Sequence, residues 1–182
     1  MVFVQYQLHK FFVGSIMNIE QMAQVIIDLN PFERADLINK FAFGFDQVIG
    51  IVFTICDEEN VEAYCDISEV HLQPYGLVHG GVYAGLSESV CSVGAALSVL
   101  PKGKNAVGVS NHTVFKKPAR KGNRVYVKAT LHEQGLGGIH VWKTVITSER
   151  GELYAHSTVK VATLDFDKKV GGEKISLQNL QS

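Results

Sequence analysis

This chain of 182 residues has few cysteines and prolines and almost no net charge. The three cysteines, Cys56, Cys65 and Cys91, are odd in number and have no metal-ligand spacing, which argues against a disulfide framework and a metal site. They favour a reducing compartment, so we expect a cytoplasmic protein without a cofactor. A formal net charge of −1 gives no general attraction for nucleic acid, and the N-terminal apolar patches are too broken for a membrane span, so neither is an expected partner.

The positive charges are unevenly distributed along the chain. A short segment after the longest apolar run holds many of them, namely Lys102, Lys104, Lys116, Lys117, Arg120, Lys121, Arg124 and Lys128. A solvated strand edge and turn would account for such a run, and so would a binding site for a small polyanionic ligand. Both interpretations stay open at this point.

Periodicity predicts a helical first third and β structure after it. Asn30, Pro31 and Glu33 have the spacing of an N-cap, a first helical residue and a capping box. From Phe45 onward, short β-rich runs separated by turn residues predict six strands. Two of them lie within residues 45–70, about a polar turn at 57–60, and four lie near Ala106–Phe115, Arg124–Glu133, Ile139–Ser148 and Leu153–Leu164. The expected parts are a disordered extension at 1–16, N-terminal helices at 17–44, one domain at 45–164 and a loose polar tail at 165–182.

One long apolar segment separates the second predicted strand from the third. It runs from Gln73 to Leu100, is apolar enough to be buried on all sides as a helix, and is followed by Pro101 as a stop signal. In so short a chain, only a curved antiparallel sheet wrapped around such a helix could cover it. The sequence therefore predicts an α+β protein with the hot-dog fold, an antiparallel sheet wrapped around a long central helix, with added N-terminal helices.

Glu88 is the only formally charged residue in that segment. A buried carboxylate costs several kcal/mol unless it is paired or hydrogen-bonded. Glu88 therefore either bonds to a neighbouring strand or has a chemical role. Ser92 lies one turn further on the same face and can bond to the carboxylate, whereas Cys91 is either a rival nucleophile or a packing residue.

The start of the same helix has the character of an oxyanion site. If the helix begins near Gly80 or Gly81, its free N–H groups and positive dipole end point at whatever lies outside His79. Glu88 is about 12 Å further along the axis at 1.5 Å per residue, which is beyond the reach of its side chain. A twofold dimer that brings the helix start of one subunit to the Glu88 of the other would unite the two groups.

The combination resembles the active-site segment of one group of hot-dog acyl-CoA thioesterases. This group contains the 4-hydroxybenzoyl-CoA (Arthrobacter-type), enterobactin-proofreading, 1,4-dihydroxy-2-naphthoyl-CoA and phenylacetic-acid-pathway (PaaI-like) enzymes. The pattern matches without a gap at Gln73, Pro74, the HGG motif His79-Gly80-Gly81, Glu88 and Ser92. The resemblance extends over about residues 45–164.

The resemblance implies that the chain hydrolyses an aryl- or medium-chain acyl-CoA to the free acid and CoA. Gly80 would donate its N–H to the thioester oxygen, and Gln73 and His79 would orient the acyl group. Glu88 of the partner subunit would act as nucleophile or as general base on water, and Ser92 would position that water or the carboxylate. The family also implies a homodimer, or a homotetramer built from two dimers.

The candidate contacts to the substrate and its CoA moiety come from the helix start and the basic run. They are Gly81, Tyr83, Lys116, Lys117, Arg120, Lys121 and Arg124. Many relatives carry a Gly-Arg pair in the hairpin before the tryptophan-containing strand, but Gln134 to Trp142 contains no arginine, which allows for another acyl carrier. Two other functions stay open, a non-catalytic acyl-thioester binding module and a hot-dog dehydratase acting on 3-hydroxyacyl thioesters.

Overall fold

The computed structural model describes residues 25–40, 44–170 and 172–174. The expected extension at 1–16 lies outside these residues, as does most of the helix expected from Met17. Residues 25–27, at the end of that predicted helix, are helical.

Helix α1 (Pro31–Lys40) begins where the capping residues predict. Asn30 Oδ1 accepts hydrogen bonds from the Phe32 N–H at 3.0 Å and the Glu33 N–H at 3.1 Å. Glu33 Oε2 in turn accepts from the Asn30 N–H at 3.0 Å. The predicted capping box is therefore confirmed, and it satisfies backbone donors that a helix start leaves free.

A short helix, α2 (Gly44–Ile49), occupies the place where the sequence predicts the start of a strand. That prediction is wrong for residues 45–49, and tertiary contacts give the reason. The Phe45 ring lies where a side chain at Gly85 would stand, and Asp46 accepts a hydrogen bond from the Ser89 hydroxyl at 2.5 Å. These contacts to the central helix outweigh the β-propensity of the segment.

Six antiparallel strands form the sheet in the order β1-β2-β4-β5-β6-β3. They are β1 (Ile51–Cys56), β2 (Asn60–Asp66), β3 (Lys104–Phe115), β4 (Arg124–Gln134), β5 (Ile139–Thr147) and β6 (Leu153–Asp165). The last four agree with their predicted bounds to within two residues. A small hairpin, β7 (Lys169–Val170) with β8 (Glu173–Lys174), lies where the tail was expected to be loose.

The sheet wraps around helix α3 (Gly80–Val99), as the hot-dog prediction requires. The helix begins at Gly80 because residues 73–79 form a turn that closes with a bridge between Leu72 and Val78. A side chain at Gly94 would overlap the ring of Trp142, which is fully buried beneath the helix. By length and composition, the segment Gly80–Lys102 could cross a membrane. However, 61% of its most apolar 18 residues are buried inside the fold, as in the core helix of a globular domain.

The two edges of the sheet differ in how they are covered. At the β1 edge, Asn39 of α1 donates to the Phe53 carbonyl at 2.8 Å and accepts from the Phe53 N–H at 2.9 Å. Within the described ranges, no strand pairs with the outer side of β3, and residues 108–112 of that strand are exposed. Because open edges attract further strands, β3 is the edge available for pairing with another chain.

Candidate functional site

The helix start offers one free backbone donor. His79 is the N-cap of α3, and its Nδ1 accepts the Gly81 N–H at 2.9 Å. In the neutral ring this acceptor role leaves the proton on Nε2, so the exposed side of the imidazole is a donor. No described residue accepts the Gly80 N–H. Gly80 is thus suited to bind an oxyanion, whereas the Gly81 N–H is already occupied by His79.

Aromatic rings line this end of the helix. The Phe115 ring lies over Gly80 so closely that a Cβ there would stand 2.7 Å from Phe115 Cζ. Tyr83 lies behind it, with ring centroids 6.2 Å from Phe115 and 6.4 Å from Tyr154. Phe115 is 56% exposed, so the Gly80 donor lies beside an accessible apolar surface.

Gln73 and Tyr83, both predicted to face the substrate, differ in their surroundings. Gln73 is half-buried at the beginning of the turn, where its carbonyl accepts the Gly76 N–H. Tyr83 is buried, and its hydroxyl accepts the Ala119 N–H at 2.8 Å. Burial raises the pKa of Tyr83, the bond from Ala119 opposes this, and Tyr154 adds to it. The Tyr83 hydroxyl therefore braces the turn before β4, and its ring supports Phe115.

The carboxylate of Glu88 lies against β3. It is only half-buried, and a Cβ at Gly108 would overlap Glu88 Oε1, so the strand leaves room for the side chain there. Asn111 Nδ2 donates to Glu88 Oε2 at 3.1 Å and to the Ala84 carbonyl at 2.9 Å. This partial exposure and the amide donor explain how an apolar helix can hold a charged residue.

Asn111 is a neighbour of Glu88 that the sequence pattern does not predict. It lies 23 positions from Glu88, so helix spacing gives no sign of the contact. The available signal is the polar run Ser110-Asn111-His112-Thr113 inside a predicted strand, and a strand by itself accounts for that run.

Two residues near Glu88 on the helix have different surroundings. Ser92 is half-buried one turn further on, and no hydrogen bond between it and Glu88 occurs in the described chain. Cys91 is fully buried. Burial raises the pKa of the Cys91 thiol, and the nearby Glu88 charge raises it further. A thiol so resistant to ionisation is a packing residue rather than a nucleophile.

Three of the five basic candidates are engaged in ion pairs. Lys117 pairs with Glu152, and Lys121 pairs with Glu69. Arg124 binds Asp66 through two bonds of 2.7 Å and lies 3.9 Å from the centre of the Tyr64 ring.

The Arg124 pair also changes the ionisation of both partners. The hydrogen bond from Arg124 lowers the pKa of Asp66, and the same bond raises that of Arg124. Of the five candidates, Lys116 and Arg120 are exposed and have no ion-pair partner among the described residues, so these two are free to contact a ligand.

Gly80 and Glu88 lie against opposite ends of the same stretch of β3. Phe115 covers Gly80, and Gly108 receives Glu88, because α3 runs along the strand in the opposite direction. The sequence separation of eight residues corresponds to about 12 Å of helix, so one chain does not bring the oxyanion donor and the carboxylate to one carbonyl. One chain thus holds the free backbone donor and the carboxylate apart, at two places along the exposed edge strand.

Comparisons with known proteins agree with this architecture. The family model of the Thioesterase superfamily matches residues 75–154. The 1,4-dihydroxy-2-naphthoyl-CoA hydrolase of Escherichia coli K12 is 32% identical over 127 residues, which are 68% of this chain and 90% of that protein. The hydrolase of the same name from Listeria monocytogenes is 29% identical over 123 residues, 65% of this chain and 94% of the relative.

A solved structure gives the same result for the fold. The crystal structure of a thioesterase from Haemophilus influenzae matches with a TM-score of 0.68 at 26% identity, over 74% of this chain and 92% of that one. The chain therefore belongs to the thioesterase superfamily, with its hot-dog fold, and is a thioester hydrolase.

Proposed function

We propose that the protein hydrolyses an aryl- or medium-chain acyl-CoA, with Glu88 as the acting carboxylate and the Gly80 N–H as the oxyanion donor. The observation that carries the proposal is the placement of both groups along β3, one over Gly108 and the other beneath Phe115. Both residues are half-buried, and a thioester needs only an oxyanion donor and one carboxylate because its thiolate is a good leaving group.

We propose further that the complete site forms between two copies of the chain. The exposed β3 edge supports an antiparallel pairing of this strand with its own copy about a twofold axis. If the axis passes between Asn111 and His112, Gly108 of one copy lies opposite Phe115 of the other. Glu88 then stands about one strand spacing, roughly 5 Å, from the neighbouring helix start.

In this arrangement, the chemistry needs few groups. The Gly80 N–H binds the thioester oxygen, and His79 and Gln73 orient the acyl group. Glu88 either accepts a proton from the attacking water or attacks the carbonyl carbon itself, giving an anhydride that water then cleaves. On either route the C–S bond breaks, the acid forms, and the sulfur leaves as a thiolate that takes up a proton.

We propose CoA as the acyl carrier and the cytoplasm as the location. Lys116 and Arg120, which are exposed and unpaired among the described residues, support the binding of the CoA phosphates. The E. coli and Listeria relatives are named for hydrolysis of an acyl-CoA, which supports the same carrier. The three thiols of this chain are free, as in a reducing compartment.

The test is thiol release from a panel of short-chain, long-chain and aromatic acyl-CoA esters. Wild type, Glu88→Gln and the control Glu59→Gln, an exposed turn residue, are compared at equal concentration. We expect wild type to hydrolyse at least one ester. The rate of thiol release should fall about 10³-fold in Glu88→Gln and stay at the wild-type value in the control. A folded wild type that binds acyl-CoA without releasing thiol would instead identify a binding module, and hydration of an enoyl-CoA with an intact thioester would identify a dehydratase.

A further inference from the structure

Asn111 contacts three groups, and their chemistry fixes the direction of its amide. Its Nδ2 donates to Glu88 Oε2 at 3.1 Å and to the Ala84 carbonyl at 2.9 Å. Its Oδ1 accepts from the Thr113 hydroxyl at 2.7 Å. A flipped amide would turn its oxygen towards a carboxylate and a carbonyl, neither of which can donate, so this orientation is the one in which all three contacts are hydrogen bonds.

Behind Thr113, a line of buried hydroxyls continues into the core beneath α3. Thr113 Oγ1 lies 2.8 Å from Ser157 Oγ, which lies 2.8 Å from Ser87 Oγ. Ser87 Oγ is 2.9 Å from Thr144 Oγ1. Ser87, Thr144 and Ser157 are all buried, so the outer end of the line, at Thr113, is attached to rigid parts of β5, β6 and the helix.

The Glu88 side chain itself has little else to hold it. Among the described residues, its one hydrogen bond comes from Asn111, and it stands over a glycine that gives no side-chain wall. A glutamate has several rotatable bonds, and a freely rotating carboxylate would spend most of its time away from a bound thioester.

We infer that Asn111 is a positioning residue that holds the Glu88 carboxylate in its working orientation, and that Thr113 fixes the end of the Asn111 amide that faces it. This inference rests on the proposed function of Glu88. It applies whether Glu88 attacks the thioester or deprotonates water, since either role requires the carboxylate oxygen to be aimed at one point.

The experiment compares kcat and KM for the best acyl-CoA ester in wild type, Asn111→Ala and Asn111→Asp. Aspartate has nearly the shape of asparagine but replaces the donor by a charged oxygen facing Glu88. We expect kcat to fall about tenfold in Asn111→Ala and about 10²-fold in Asn111→Asp, with KM changed less than threefold in both. A residue that only fills space would tolerate aspartate better than alanine, which is the opposite order.

Thr113 gives a matched second pair. Thr113→Val keeps the shape and removes the hydroxyl, and we expect kcat to fall about fivefold, as for the loss of one neutral hydrogen bond. Thr113→Ser restores the hydroxyl and should restore kcat to within twofold of wild type. Lys160→Ala, at an exposed position of β6 between the buried residues Val159 and Val161, should keep the wild-type kcat.

The outcomes separate the two proposals. Wild-type kcat in Asn111→Asp, or equal kcat in Thr113→Val and Thr113→Ser, with Glu88→Gln inactive, would overturn the positioning role alone. Full activity in Glu88→Gln would overturn the proposed function and this inference together. Sedimentation of each variant verifies that an altered kcat does not come from loss of the oligomer, and a variant that dissociates is compared with wild type at a concentration where both are associated.

Discussion

The Glu88 carboxylate occupies the space that a side chain at Gly108 would fill. Gly108 lies on the exposed part of β3, and its backbone φ is not in the left-handed region, so its small size matters here rather than its flexibility. The glycine lets the carboxylate lie flat against the edge strand. The position of the proposed acting group is therefore set by a strand residue 20 positions away in sequence.

Gly108→Ala should impair catalysis more than folding. The added methyl displaces Glu88 from β3 and from Asn111, and we expect kcat to fall at least tenfold, in line with the effect of small misplacements of a reacting group. The unfolding midpoint should change little, because the strand is exposed at this point. Steady-state kinetics and urea unfolding measure the two effects, and Ser110→Thr, which adds a methyl to the same strand, is the control. Unchanged kcat in Gly108→Ala would mean that Glu88 works away from the strand.

The parts of the fold and site that sequence predicts are those governed by local chemistry. The cap at Asn30 and the strands after Pro101 follow from turn and capping residues next to them, and they agree with the structure. The sequence does not predict the helix at 44–49, because that helix depends on contacts of Phe45 and Asp46 with α3. The contact of Asn111 with Glu88 is not predicted for the same reason, since it forms only when α3 packs against β3 in the folded chain.

Tyr83→Phe should destabilise the fold. The change removes the acceptor of the Ala119 N–H, a buried donor that then has no partner, at a cost of about 1–3 kcal/mol in the free energy of unfolding. Urea unfolding measures the loss. Tyr75→Phe, at an 85% exposed tyrosine in the preceding turn, should have no effect. Unchanged stability together with a raised KM would contradict the bracing role and assign the Tyr83 hydroxyl to the substrate.

Alkaline pH should destabilise the protein through its buried thiols. Burial raises the pKa of Cys65 from 9.0 to about 11 and that of Cys56 from 9.0 to about 12. Above pH 9 the unfolded thiols lose protons that the folded ones keep, so the free energy of unfolding falls as the pH rises from about 9 to 11. Removing one thiol with Cys65→Ala should reduce the steepness of this fall by about 1 kcal/mol per pH unit. Equal slopes in urea unfolding series of the two proteins would show that Cys65 ionises as readily when folded.

Reversing the charge of Lys116 and Arg120 should weaken binding of the CoA phosphates. These side chains are exposed and unpaired in the described chain, whereas Lys117, Lys121 and Arg124 have carboxylate partners. We expect the double change to glutamate to raise KM for acyl-CoA about tenfold, at about 1 kcal/mol or less per exposed charge, and the effect to shrink in high salt.

Two controls separate an effect on phosphate binding from other causes of a raised KM. One is a variant with the same net charge, and the other is a substrate without the nucleotide phosphates. Lys143→Glu with Lys160→Glu changes the net charge equally at exposed positions of β5 and β6, and KM should stay at the wild-type value. An acyl-pantetheine thioester, which lacks the nucleotide phosphates, should have the same KM in wild type and in the Lys116/Arg120 variant. A KM that rises equally for both substrates would mean that these residues act on the acyl group or the pantetheine arm, because those are the parts that the two esters share.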